Sequence, residues 1–155
     1  MQLTRETVNM RLGEIAATLA DVKLFTGDEG DPTLSFPAIQ VEWLGSDLPS
    51  ELSPDMRMRI LQITVETVDR DTDGCEAIAR AILIGLGIKY GSRTRLGTLP
   101  KKAWAVSYAG AITGTPTGSA IILRPQLGQG WRPLPSKQRE GRRQVITLEA
   151  HSKPV

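Results

Sequence analysis

Cysteine is nearly absent from this sequence: Cys75 is the only one, so no disulfide can form within the chain. A chain of 155 residues without disulfides fits a reducing compartment and is long enough to bury a core unaided. Thiol catalysis needs a basic partner, and the only histidine is His151, among the last five residues, where a frayed end is expected. The bland reading of Cys75, a small buried hydrophobe, is therefore favoured. A histidine-based metal cluster is excluded, and a Ser–His–Asp triad has only that terminal imidazole to draw on. Aromatic residues make up 5% of the chain, so the core has to rest on Ile, Leu, Val and Ala.

Long apolar runs are also missing. The stretch from Ala77 to Ile88 is broken by Arg80, Gly85 and Gly87 and falls short of a membrane span. The opening residues Met1–Glu6 lack the basic and apolar regions of a signal peptide, so a cytoplasmic site of synthesis is expected. The nucleophile elbow GxSxG and the phosphate loop GxxxxGK[ST] do not occur. Gly85-Leu86-Gly87 starts a dinucleotide fingerprint, but Tyr90 stands where its third glycine belongs.

What is present is a charge division. Residues 1–74 carry 14 acids and 6 bases; residues 75–155 carry 3 acids and 13 bases, although the whole chain nets only +2. Such a division suggests complementary surfaces or an anionic partner for one of them; the alternative is two halves that intermingle and largely neutralise each other.

Carboxylates offer the one metal-like pattern. Asp69-Arg70-Asp71-Thr72-Asp73-Gly74 has the spacing that opens a calcium loop, but the twelfth position is Arg80, which cannot ligate a cation. A helix-capping turn is the simpler reading, with no metal and no cofactor expected. A nuclease reading fails on order, because no acid-x-Lys follows Pro54-Asp55. The basic residues form two groups: Lys89, Arg93, Arg95, Lys101 and Lys102, then Arg132, Lys137, Arg139, Arg142 and Arg143. Of these, Arg93, Arg95, Lys101, Lys102, Arg132, Lys137, Arg139, Arg142 and Arg143 are the candidate interface or DNA-facing residues. No recognition helix or stacking aromatic set accompanies them, so a solvated loop or a salt-bridged subunit interface is the competing reading.

Hydrophobic periodicity predicts the elements. Val8, Leu12, Ile15 and Leu19 recur at helical spacing from about Arg5, with Thr4 as the expected N-cap. A short strand is expected at 22–25, then an acidic loop. Ile39, Val41 and Trp43 alternate with polar residues in a strand over 38–44, and residues 45–54 read as a loop. Leu61, Ile63 and Val65 mark a longer strand over 56–69, a candidate for a protruding hairpin arm. Cys75, Ile78, Ala79, Ile82, Leu83 and Leu86 form one face of a second helix that stops at Gly85 and Gly87. Strands follow at 103–111 and 119–124, joined by the expected turn Thr113–Gly118, and a last strand at 143–149. Residues 125–141, rich in glycine and proline, read as an irregular excursion. The expected fold is α+β: a mixed, mostly antiparallel sheet with two main helices packed on one face, plus extended loop or hairpin arms, in a single domain over 1–155.

In its order of elements over residues 1–124, the chain resembles the phage tail-terminator and tail-completion proteins. The features that carry the resemblance are the helix Glu6–Leu19, the strand Phe36-Pro37-Ala38-Ile39-Gln40-Val41-Glu42-Trp43, the strand ending Val68-Asp69-Arg70-Asp71, and the helix opening Asp73-Gly74-Cys75-Glu76-Ala77-Ile78-Ala79. The resemblance implies a structural virion protein of the tail or neck, not an enzyme, assembled in the host cytoplasm. It implies a homohexameric ring that caps the tail tube and joins it to the head-side connector. The implied partners are further copies of the chain, the tail tube protein, the connector or neck protein and double-stranded DNA in the lumen, and no membrane. The alternatives are another head–tail joining protein or a nucleic-acid-binding module using the basic loops. The resemblance supplies no catalytic residues and does not extend to residues 125–141.

Overall fold

The computed structural model describes residues 2–26, 37–67, 72–86, 97–106, 112–125, 131–135 and 141–153. The chain order is α1 (Gln2–Ala17), β1 (Lys23–Phe25), β2 (Ala38–Pro49), β3 (Arg57–Thr67), α2 (Thr72–Gly85), β4 (Gly97–Val106), β5 (Ile112–Pro125), β6 (Trp131–Pro135) and β7 (Arg142–Ser152). The fold is α+β. Its strands form one mixed sheet in the order β1-β2-β3-β7-β5-β4, with β6 also paired to β7. Among the described strands only the β1–β2 pair is parallel; the other pairs are antiparallel.

Alternation decides which face meets the helices. Ile39 and Val41 on β2, Leu61, Ile63 and Val65 on β3, Leu123 on β5 and Ile146, Leu148 and Ala150 on β7 all belong to one buried cluster. The registers Ile39↔Val65, Val41↔Ile63, Ile63↔Ile146 and Leu61↔Leu148 place them on the same side of the sheet, as a period of two requires. Val8, Leu12, Ile15 and Ala16 of α1 and Cys75, Ile78, Ala79, Ile82, Leu83 and Leu86 at α2 complete that cluster. The expected apolar faces of both helices are the buried ones. Cys75 is fully buried, its thiol directed at the Val65 carbonyl (3.5 Å), so it packs as a small hydrophobe.

Gly85 ends α2 for a reason beyond termination. A Cβ there would lie 2.5 Å from Cδ1 of Ile15, so the bare backbone lets α1 and α2 approach. Arg11 fastens the same contact through an Nε–H bond to the Gly85 carbonyl at 3.0 Å.

Five expectations need correction. Thr4 is not an N-cap: α1 already begins at Gln2, and the buried Thr4 hydroxyl bonds the Ser152 hydroxyl at the far end of the chain. Residues 45–49 are not loop but the end of β2, reached across an irregularity between Leu44 and Leu48. Gly45 there adopts φ 66°, a left-handed conformation that suits glycine. Strand β3 is no arm, because β2 and β7 flank it along its length. The turn expected at Thr113–Gly118 lies inside β5, whose pairing with β4 shifts register between Pro100 and Lys102 and so absorbs Thr117, Gly118 and Ser119. Finally, the excursion over 125–141 contains a strand, β6.

That last strand explains how β7 is covered. On one side β7 pairs β3 from Arg142 to Ser152. On the other, β5 pairs residues 148–151 and β6 pairs residues 142–146, the two running in tandem. Beyond Ser152 there is no β7 left to pair. Residues 112–120 of β5, with β4, therefore continue past the end of β7 as a two-stranded arm roughly 20 Å long.

Candidate functional site

The polar chemistry of the described residues concentrates where the β2–β3 loop meets the outer face of β7 and β5. Ile122, Arg124, Glu149 and His151 alternate with core residues and so point away from the helices. His151 is not frayed, contrary to expectation. It is paired with Met58 and Ile122 in the sheet and is fully buried. Its Nδ1 lies 2.7 Å from the Ser50 hydroxyl and its Nε2 lies 3.0 Å from Oε1 of Glu149. The same Glu149 oxygen accepts Arg124 Nε–H at 2.6 Å, and Arg124 extends its other arm to Glu51.

One proton arrangement satisfies this network. The Leu52 amide donates to the Ser50 oxygen (3.1 Å), the Ser50 hydroxyl donates to Nδ1, and Nε2–H donates to Glu149. The hydrogen bond that Arg124 donates to Glu149 foremost, with Glu51 adding to it, raises the Arg124 pKa above its already high range against the opposing cost of burial, so the guanidinium stays charged. The Ser–His–Glu order resembles a hydrolytic triad. Here, however, the serine oxygen already takes a backbone N–H and the glutamate oxygen already holds an arginine. The arrangement works as a clamp that fixes the loop after β2 onto β5 and β7.

A second arginine closes the neighbouring irregularity. Residues 45–47 of β2 stand against Arg59 alone, and Arg59 Nη2 donates to the Gly45 carbonyl at 2.8 Å, with Nη1 3.8 Å from Asp47. This stiffens the outer end of β2.

The predicted basic residues divide by position. Arg93, Arg95, Lys137 and Arg139 lie outside the described residues. Lys101 and Lys102 sit on β4 at its register shift, in the arm. Arg132 on β6 stands opposite Val145, and Arg142 and Arg143 open β7 opposite Pro135 and Leu134. The fold thus brings Arg132, Arg142 and Arg143 to one end of the sheet and carries Lys101 and Lys102 away from it. Arg143 also faces Glu66 of β3, which is 1% exposed, a cross-strand opposition of charges. Of the three aspartates, Asp69 and Asp71 lie outside the described residues and Asp73 falls in the first turn of α2. Among the described residues no three His, Cys, Asp or Glu side chains converge as a metal site. No described helix is long and apolar enough to cross a membrane.

The strand order settles how the two charge halves are arranged. β1, β2 and β3, from the acidic half, occupy one margin of the sheet, and β5 and β4, from the basic half, occupy the other. The β2 margin exposes Glu42, Asp47 and Leu48, and the loop after it exposes Leu52 and Asp55, while Glu51 of that loop reaches Arg124 of β5. The β4–β5 span 97–125 contains Lys101, Lys102 and Arg124 and no acid. The two outer margins thus differ in sign, while Arg124–Glu51 and the Arg143–Glu66 opposition join the halves between them. No part of this arrangement was legible from local pattern, because it depends on β7 being inserted between β3 and β5. Comparison of the chain with protein-family models and with curated proteins finds no match in either case.

Proposed function

We propose that this chain is a structural subunit of a phage virion, forming a homo-oligomeric ring that caps the tail tube and joins it to the head-side connector. The observation that carries this reading is the pair of opposed margins, one acidic and one basic, the basic one extended by an arm that outruns β7. A ring is built from heterologous contacts, in which one face of a subunit meets a different face of its neighbour. A sheet with unlike margins supplies two such faces, and a tight clamp at Ser50, Glu51, Arg124, Glu149 and His151 keeps one of them in register with the core. The element order shared with tail-terminator proteins supports the same reading, and the ring would assemble in the host cytoplasm. The tail tube and connector proteins are its further partners.

Native mass spectrometry of the purified protein, alone and with tail tubes, tests the proposal. Closed rings, sixfold by the resemblance, are the expected result; a chain that stays monomeric in both settings overturns it. The gathering of Arg132, Arg142 and Arg143 at one end of the sheet favours a second reading, binding of double-stranded DNA through the phosphates. DNA affinity that falls steeply with added salt and drops on replacing Arg142 and Arg143 supports that role, in the lumen of a ring or without one.

A further inference from the structure

Among the described strands, four backbone edges besides the three-residue outer edge of β1 are open along part of their length, and they are not equivalent. β6 pairs β7 through one edge, and its prolines, Pro133 and Pro135, occupy alternate positions. Alternate residues direct their N–H groups to the same edge, so the edge facing away from β7 is the one that lacks donors and resists strand addition. In β5, the edge beyond Ser152 is interrupted by Gly114, Pro116 and Gly118. Beyond the short outer edge of β1, two edges remain clean. β1 covers β2 only from Ala38 to Gln40, and among the described residues no strand lies along Val41–Leu44. β4 pairs only β5 among the described strands, and its segment Lys102–Val106 contains neither proline nor glycine. These two edges lie at opposite margins of the sheet and belong to the halves of opposite charge.

We infer that the β4 edge of one copy, Lys102–Val106, adds as a strand to the β2 edge of the next copy, Val41–Leu44. This inference rests on the ring reading and names its joint. The occupant is a second copy because the chain itself carries both halves of the match. The β2 margin and the loop after it present Glu42 and Asp55 among their exposed acids, and the acid-free arm brings Lys101 and Lys102. The arm extends past the end of β7, so among the described strands β4 pairs only β5 there and its outer edge is offered for pairing. Main-chain hydrogen bonds supply the affinity of such a joint, while the charges choose the partner edge and disfavour like edges. Pairing a β4 edge to a β2 edge leaves one of each free on the outermost copies, so the joint propagates head to tail and ends only on closure.

Cysteine pairs across the joint test it. Glu42→Cys combined with Ala103→Cys or Ala105→Cys should, on mild oxidation, give a covalent ladder between copies that stops at the ring size; each single variant should give none. The native Cys75 is buried and does not compete. Independently, the double variant Lys101→Glu, Lys102→Glu should weaken self-association by about tenfold or more at low salt, and adding Glu42→Lys and Asp55→Lys should recover it. Rings that form without cross-linking in either pair, and that ignore the charge reversals, overturn this joint while leaving the ring reading intact. A disulfide dimer of the Ala103→Cys single variant also overturns it, because it reports β4 pairing with β4. A protein that stays monomeric even with tail tubes overturns both.

Discussion

Gly85 and Ile15 show how much a missing methyl group decides. A Cβ at residue 85 would meet Cδ1 and Cγ1 of Ile15 at 2.5 and 2.6 Å, so Gly85→Ala should overpack the α1–α2 contact and cost about 1–3 kcal/mol. On an Ile15→Ala background the same change should cost under about 1 kcal/mol, because the opposing atoms are gone and alanine suits a helix better than glycine. Urea denaturation of the four proteins of this cycle measures the coupling. The clamp around His151 makes a second prediction. Glu149→Gln removes the charge that Arg124 and His151 share and should lower stability by about 1–3 kcal/mol. Ser50→Ala removes a neutral hydrogen bond and should cost about 0.5–1.5 kcal/mol by the same assay.

The elements divide into those that alternation alone accounts for and those that needed a partner. Leu61, Ile63 and Val65 announce β3 in the sequence, and all are fully buried. Ile63 is held by Val41 on one side and Ile146 on the other, so Ile63→Ala should cost about 2–5 kcal/mol in chemical denaturation. The face of α2 from Cys75 to Leu86 was equally legible, since helical spacing is a local property. Thr113-Gly114-Thr115-Pro116-Thr117-Gly118 misled because each residue is a turn former, yet pairing with β4 holds most of them in β5 and a register shift takes up the rest. β6 was missed because its prolines argue against a strand unless one edge is known to be free. At the β2 irregularity, Gly45 has φ 66° with no neighbour within reach of a Cβ, so the cost of Gly45→Ala is backbone strain alone, about 1–2 kcal/mol. A thermal melt should show that loss with the rest of the sheet unchanged.

For the whole molecule, the segregation of charge between opposite margins makes assembly salt-sensitive. Exposed charges separated by more than about 8–10 Å are largely screened at physiological ionic strength. Raising salt should therefore slow ring formation and weaken it modestly, the backbone pairing persisting, as followed by light scattering. Monomer stability, which rests on the buried aliphatic cluster, should change far less over the same range. If salt abolishes assembly outright, the charges and not the strand edges hold the ring.

The amino-acid order by itself determined the α+β class, the inward faces of α1, α2, β2 and β3, and the burial of Cys75, because each depends on a period of 2 or 3.6 residues written locally. The tertiary structure alone decided where Thr4, Ser50 and His151 find their partners, since those residues are 148 and 101 positions apart along the chain. It likewise decided that the β1–β2 margin of the acidic half and the β4–β5 margin of the basic half lie on opposite sides of the sheet, with β3 and β7 joining the two halves between them. That outcome follows from the insertion of β7 beside β3, a pairing between distant segments whose reward is the burial they achieve together and which no single segment records.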